Sequence, residues 1–315
     1  MNTDGAKTAV RLVTVDADSA GRRLDNFLLS ELKGMPRTRI YRMIRKGEVR
    51  VNKGRSKPTS RLAEGDIVRI PPVLRVESPG GQQAAAPLVR NVDWIRALIL
   101  HEDEHLLVLD KPSGLAVHGG SGINLGAIEL LRAARPDCRY LELVHRLDRD
   151  TSGCLLVAKK RSALRNLHQQ LREGRVEKKY LALLNGEWQG DDREVNLPLV
   201  VENRQNGERH VRTGADGKTA LTRFFPQERF AHAVLCRVEL LTGRTHQIRV
   251  HAAAIGHPVA GDKRYGEQGG PGSIDRMFLH AQFIGVVHPA DELPVRFESP
   301  VPEALTAVLA RLRQP

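Results

Sequence analysis

The stretch ESPGGQQAAAP at positions 77–87, which comes after Pro71 and Pro72, constrains the chain more than any other feature. Its glycines, prolines, glutamines and alanines have the composition of a linker and offer no bulky apolar side chain to a core. A chain of 315 residues should therefore build one core on each side of it, in line with about 100–200 residues per domain. The expected division is an N-terminal extension at 1–20, a small module at 21–75, the linker at 76–93 and a larger domain at 94–315.

The small module carries the charge. Between Gly21 and Ile70 there are 14 Lys or Arg against 5 Asp or Glu, so 14 − 5 = +9 of the formal net charge of +12 lies there. Such clustering points to a polyanionic partner, although solvated basic helix faces are common. Leu24, Phe27, Leu28 and Leu32 recur at helical spacing, and a second amphipathic stretch runs from Arg37 to Arg45. Two short strands are expected at 49–52 and 66–70. Arg37, Arg39, Arg42, Arg45 and Lys46 could then track phosphates, contacts that give affinity and register but do not read sequence.

Beyond the linker, from about Trp94, β-rich runs (LLVLD, CLLVAKK, KYLALL, HAVLCRVELL) alternate with a few helical patterns, notably Ser162 to Arg172 and Thr245 to Ile255. This predicts an α+β domain on a mixed, largely antiparallel sheet. Cys138, Cys154 and Cys236 are scattered without CxxC spacing, which disfavours a zinc site or a disulfide framework. No apolar run approaches the roughly 18 residues of a membrane span, and the N-terminus does not read as a secretory signal. The expected compartment is the reducing cytoplasm, with no membrane partner.

VHRLDRDTSG at 144–153 places five ionisable side chains at six positions, His145 to Asp150. YLELV at 140–144 and CLLVAKK at 154–160 read as neighbouring strands, so the motif is the loop between them, a usual place for catalytic groups. Asp150, Thr151, Ser152 and Gly153 read as turn formers. Asp148 then has three readings. One is a surface ion pair with Arg146 or Arg149, worth at most about 1 kcal/mol. Another is a kinase base, which fails because no Gly-rich loop, V-A-I-K strand or D-F-G appears in order. The third is covalent catalysis on RNA, and it alone also uses the basic module. His145 and Arg149 are as well explained by local structure, His145 on a backbone carbonyl and Arg149 bridging to Asp150. Lys111 and His118 are expected in a loop near the same cleft, without a catalytic part.

A second constellation, LLTGRTHQIRVHAAAIGHPVAGD at 240–262, begins with a turn at Thr242 and Gly243. On the expected helix His246 and Arg249 share a face, three residues apart. His246, His251, His257 and Asp262 do not suit a metal, because a spacing of five separates the first two imidazoles and Gly256, Pro258 and Gly261 interrupt any helix beyond Ile255. Arg249 aimed at Asp148 is more useful. At about 4 Å and an effective dielectric near 20 the attraction is of order 4 kcal/mol before desolvation, enough to keep a sheltered carboxylate ionised.

These motifs carry a resemblance. HRLDRDTSG, the KPSG of LDKPSGLAVHGG at 111–114, KKYLALL at 178–184 and GRTHQIRVH at 243–251 resemble the RluA family of pseudouridine synthases. The basic segment at 22–70, with RRLDNFL, RKGEVRVN and EGDIVRIPP, resembles the S4 RNA-binding domain often placed before that catalytic domain. The similarity runs from about Val15 to Arg313. Cys154, where an aliphatic residue is usual, and the insert GEQGGPGSID at 266–275 depart from the pattern.

The resemblance implies isomerisation of specific uridines of 23S ribosomal RNA. The N1–C1′ bond is cut, the uracil turns while bound, and it rejoins through C5. No atom is lost and no redox change occurs, so neither cofactor nor metal is called for. Asp148 would be the catalytic residue, attacking C1′ directly or assisting elimination to a glycal-like intermediate. Tyr180 would stack under the uracil and is a candidate for proton transfer. Arg249 would partner Asp148, with Arg146 and His246 on the RNA side, and the target base would be flipped out of its stack. The expected partner is large-subunit ribosomal RNA, bound by a monomer. Two rivals stay open: a tRNA-directed synthase and a non-catalytic S4-type RNA-binding protein.

Overall fold

Contacts divide the chain into two units, Met1–Leu88 and Val89–Pro315. The structure, a computed structural model, describes residues 9–16, 19–32, 35–72, 92–119, 125–203, 209–266 and 274–314. The start of the expected extension at 1–20, nearly all of the linker at 76–93 and most of the insert at 266–275 lie outside the described residues.

The first unit contains β1 (Arg11–Thr14), α1 (Leu24–Glu31), α2 (Arg37–Lys46), β2 (Arg50–Val51) and β3 (Ile67–Ile70). Its core is built from the helical stripe seen in the sequence, Leu24, Phe27 and Leu28 of α1 against Ile40, Met43 and Ile44 of α2. Asp25 is buried beneath α2, held by Arg23 at 2.6 Å and by the Tyr41 hydroxyl at 2.8 Å. β3 is the central strand of a three-stranded sheet, paired with β2 and with β1. β1 lies within the stretch expected to be an extension. It is short and mostly exposed, so its apolar content gives little local signal. Gly47 closes α2 in the left-handed conformation at φ 70°.

The second unit comprises α3 (Asp93–Arg96), β4 (Ile99–Glu102), β5 (Leu106–Lys111), α4 (Ala127–Ala134), β6 (Glu142–Leu143), β7 (Ser152–Ala158), α5 (Arg161–Arg172) and β8 (Glu177–Asn185). It continues with β9 (Arg193–Asn196), β10 (Leu199–Asn203), β11 (Arg209–Thr213), β12 (Leu221–Phe230), β13 (Ala233–Leu240), α6 (Gln247–Ala254), β14 (Leu279–Val287), β15 (Pro294–Glu298) and α7 (Glu303–Leu312). The main sheet runs β4-β5-β7-β14-β8-β13-β12-β9, with β15 beside β14 and β6 beside β7. β14 and β7 pair in parallel, and the other pairs in this sheet are antiparallel. The fold is thus the expected α+β arrangement on a mixed, largely antiparallel sheet.

β5, β7 and β8 read as unbroken apolar runs because both of their faces are covered. Leu107, Leu109, Leu155, Val157, Tyr180 and Ala182 share one core with α4 and α6. On the other face Leu106, Val108, Leu156 and Ala158 pack under α5, and Leu181 and Leu183 under α7. Cys154 and Cys236 are packed in this interior, where burial pushes both thiols up to about 12 and leaves them inert at neutral pH. The strand expected at 140–144 shrinks to Glu142–Leu143. Ser152 and Gly153, read as turn formers, instead begin β7. Gly153, at φ 110°, passes so close to Ala281 that a Cβ would lie 2.2 Å from its carbonyl oxygen. No helix among the described residues is long and apolar enough to cross a membrane.

Candidate active site

Strand pairing delivers the Asp148 loop. Leu143 of β6 lies opposite Val157 of β7, so residues 144–151 must turn back within a few positions. Leu147 is buried in the main core and anchors the turn, which closes with the Thr151 amide donating to the Asp148 carbonyl at 3.2 Å. His145 hydrogen-bonds the Arg146 backbone, which opposes the effect of burial on its pKa. Its Nε2 accepts from the Leu156 amide at 3.0 Å, and burial lowers its pKa to about 4, so it stays a neutral acceptor. Arg149 and Asp150 form the expected ion pair at 3.1 Å, and both are largely solvated.

The KPSG segment holds this loop from beneath. Lys111 is completely buried and donates to the carbonyls of Pro112, Leu115 and Arg149 at 2.9, 2.8 and 3.0 Å. The Gly114 amide also donates to the Arg149 carbonyl, and the Ser113 hydroxyl to that of Asp150. The backbone just after Asp148 is thereby pinned. Burial lowers the Lys111 pKa to about 7, with Asp150 and Asp148 opposing. Neither Lys111 nor His118 lines the cleft above, contrary to their expected approach to it.

That cleft encloses about 570 Å³ between three walls. Residues 144–151 form the floor, the end of α5 and the start of β8 one side, and the 240–249 segment the other. Asp148, Tyr180, Arg249, Arg146 and His246 all line it. Five candidates drawn from three separate motifs thus share one cavity.

Arg249 projects from α6 between two carboxylates. Its Nη1 donates to Asp148 Oδ2 at 3.1 Å, while Nε and Nη2 grip Asp262 at 2.7 and 2.8 Å. The Asp262 side chain is fully shielded from water, and Asp148 retains 16% exposure. Burial by itself would lower the Arg249 pKa, but Asp262 and then Asp148 raise it above the usual guanidinium range. Asp262 is in turn held below the usual carboxylate range by Arg249, against its burial. Because Asp262 occupies two donors, Asp148 receives one. Its Oδ1 has no hydrogen-bond partner among the described residues.

His246 is not on the helix with Arg249. It is the N-cap of α6 in a left-handed conformation, φ 53°. Gln247 forces this: its side chain accepts from Thr242 and from the Arg244 amide and donates to Leu221 and Thr222, tying the turn to β12. His246 Nε2 nevertheless lies 3.8 Å from Asp148 Oδ2, and Nδ1 meets the Tyr265 hydroxyl at 2.7 Å. Burial lowers the His246 pKa despite Asp148. Tyr265 also stacks its ring on the Arg249 guanidinium at 5.0 Å. The other residues weighed as metal ligands are engaged elsewhere, His251 with Thr222 and the Leu197 carbonyl, and His257 with the Asn185 carbonyl.

Tyr180 lies opposite Val238 on β8 and β13, with 7% exposure at the cleft wall. Burial, and then the charge of Asp148, raise its phenol above the usual range, so it remains protonated. Arg146 is exposed at the rim. In the first unit Arg37, Arg42, Arg45 and Lys46 are exposed and Arg39 half-buried, and none forms an ion pair with a described residue. Sequence reasoning missed Asp262 and Tyr265 as members of the site. Their only local signal is GDKRY directly after a Gly-Pro break, and nothing there points to Arg249.

Residues 105–254 match the family described as RNA pseudouridylate synthase, and residues 22–68 match the S4 domain. The chain is 52% identical over 313 residues to ribosomal large subunit pseudouridine synthase C of Escherichia coli (strain K12), covering 97% of each chain. It is 50% identical to the protein of the same name from Haemophilus influenzae, covering 98% of this chain and 96% of that one. Among solved structures, human RNA pseudouridylate synthase domain containing 4 superposes with a TM-score of 0.59 at 25% identity, over 70% of this chain and 95% of that one. Human RNA pseudouridylate synthase domain containing 1 gives 0.54 at 29% identity, over 69% and 94%.

Proposed function

Because the chain belongs to the RNA pseudouridylate synthase family, we propose that it isomerises specific uridines of large-subunit (23S) ribosomal RNA to pseudouridine. The observation that carries this reading is the convergence of Asp148, Tyr180 and Arg249 on one cleft large enough for a nucleotide. Whole-length relatives named for the large ribosomal subunit, together with the S4 domain, supply the substrate.

In this reading a uridine leaves its stack and enters the cleft, at a cost of a few kcal/mol that phosphate contacts offset. Asp148 Oδ1 faces C1′ while the Arg249 guanidinium holds Oδ2 as the N1–C1′ bond breaks. The freed uracil turns against the Tyr180 ring, and C5 bonds to C1′. The hydrogen on C5 then leaves as a proton while N1 ends protonated, with Tyr180 the candidate carrier. His246 orients the ribose side of the cleft and Arg146 meets the backbone at its rim. Arg37, Arg39, Arg42, Arg45 and Lys46 hold RNA phosphates through the first unit. Asp148, Tyr180 and Arg249 all come from one chain, and in this reading the enzyme is a monomer acting in the cytoplasm.

The test is release of tritium from 5-tritiated uridine in a 23S transcript. Wild type should turn over, and Asp148→Asn should bind the transcript with wild-type affinity and release nothing. Turnover by Asp148→Asn would overturn the assignment of this carboxylate, and turnover confined to tRNA would overturn the substrate.

A further inference from the structure

Lys178 stands apart from the other charged groups of the cleft. It lies on β8 two residues before Tyr180, so both side chains leave the same face of the strand, about 6.5–7 Å apart along it. Both line the cleft. The Lys178 ammonium also reaches the opposite wall: a Cβ built on Gly243, in the turn before α6, would lie 3.7 Å from Nζ. It therefore sits at a constriction between β8 and that turn.

Arg249, deeper in the cleft, has two carboxylates. The Lys178 ammonium makes no hydrogen bond or ion pair with any described residue. Burial lowers its pKa and no carboxylate opposes that shift. A partly desolvated cation without a counter-charge is destabilising, and a fold that keeps one in a cleft leaves room for an anion from outside.

Its place along the cleft indicates which anion. Lys178 lies one pleat repeat before Tyr180 on β8, with its Nζ against the Gly243 turn, whereas Asp148 is held by Arg249 of α6. With C1′ at Asp148 and the base against Tyr180, the part of the substrate that reaches Lys178 is the sugar–phosphate strand.

We propose that Lys178 is a phosphate receptor, whose ammonium binds a backbone phosphate next to the flipped uridine and holds the RNA strand between β8 and the Gly243 turn. This rests on the pseudouridine synthase reading of the cleft. The role is positional: Lys178 fixes the strand so that C1′ meets Asp148, and it moves no proton.

The experiment compares wild type, Lys178→Met and Lys178→Arg on a 5-tritiated 23S transcript, with binding of the same transcript measured across a salt series. Lys178→Met should raise KM about tenfold, the effect of one charge-assisted phosphate contact, with kcat within about twofold. The slope of log affinity against log salt should shrink by about 0.7–0.9, one phosphate. Lys178→Arg should restore both KM and slope. A fall in kcat at unchanged KM, or an unchanged salt slope, overturns the phosphate receptor. If Lys178→Met does not fold, Lys178→Gln carries the same expectations. Absence of tritium release by wild type would instead overturn the parent reading, and the salt slope, which needs no turnover, would still judge Lys178.

Discussion

Asp262 grips Arg249 through both carboxylate oxygens, at 2.7 and 2.8 Å, and so decides which guanidinium nitrogen is left for Asp148. The orientation of the site is therefore set by a carboxylate that does not line the cleft.

Asp262→Asn should accordingly slow turnover about 100-fold with KM little changed, since small misplacements at a reacting centre cost that much. It should also destabilise the second unit by roughly 3–5 kcal/mol, because Arg249 stays buried with one partner fewer. Single-turnover tritium release and urea unfolding read the two effects. Arg249→Lys should not restore the rate, because an ammonium cannot engage Asp262 and Asp148 in the same fork. A kcat within threefold of wild type in either variant would refute this orienting role.

Tyr180 combines a ring and a hydroxyl, and substitution separates them. Tyr180→Phe should bind the transcript as wild type does and lose about 100-fold or more in kcat if the hydroxyl carries a proton. Tyr180→Leu should in addition weaken binding, by loss of a stacking surface worth about 1–3 kcal/mol per base. Near-normal turnover by Tyr180→Phe would remove the hydroxyl from the chemistry.

Arg42, Arg45 and Lys46 are exposed on α2 with no ion pair to a described residue, so their charge is free for RNA. Replacing all three by alanine should leave thermal unfolding almost unchanged and reduce the salt slope of RNA binding by up to about 2–3. An unaltered slope would place the RNA track on another face of the first unit.

Acid stability offers a check on the second unit away from the site. Arg135, and after it Lys159, hold Glu102 at a pKa of about 2, against an ordinary 4.5, although burial opposes them. In that window the folded state binds fewer protons than the unfolded one, so stability is full above about 4.5 and is lost as pH falls toward 2. The contribution is of order 3 kcal/mol. Glu102→Gln should flatten this part of the stability profile, measured by urea unfolding from pH 6 to 2, and an identical profile would show the ion-pair network to be inert.

Local pattern carried some parts of the site and not others. HRLD between two apolar strands placed Asp148 on a loop, because strand periodicity and turn residues are properties of neighbours in sequence. The same logic misread Ser152 and Gly153, whose turn-forming chemistry is overridden by pairing with His280 and Ala281 of β14. It also carried α6 back through His246, because the turn-locking bonds of Gln247 reach to Leu221 and Thr222 on another strand. The β1 strand escaped notice because an exposed edge has no alternation to betray it.

The sequence alone determined two cores separated by a linker, a basic first module, an α+β second domain and the identity of the reacting carboxylate's motif. These depend on burial patterns and charge density, which are written in consecutive residues. Only the tertiary structure decided that Arg249 meets Asp148 across 101 positions, that Asp262 dictates the angle, and that Lys178 faces the Gly243 turn without a counter-ion. Such contacts are fixed by strand register and by where a helix lands on the sheet, and no local period encodes either.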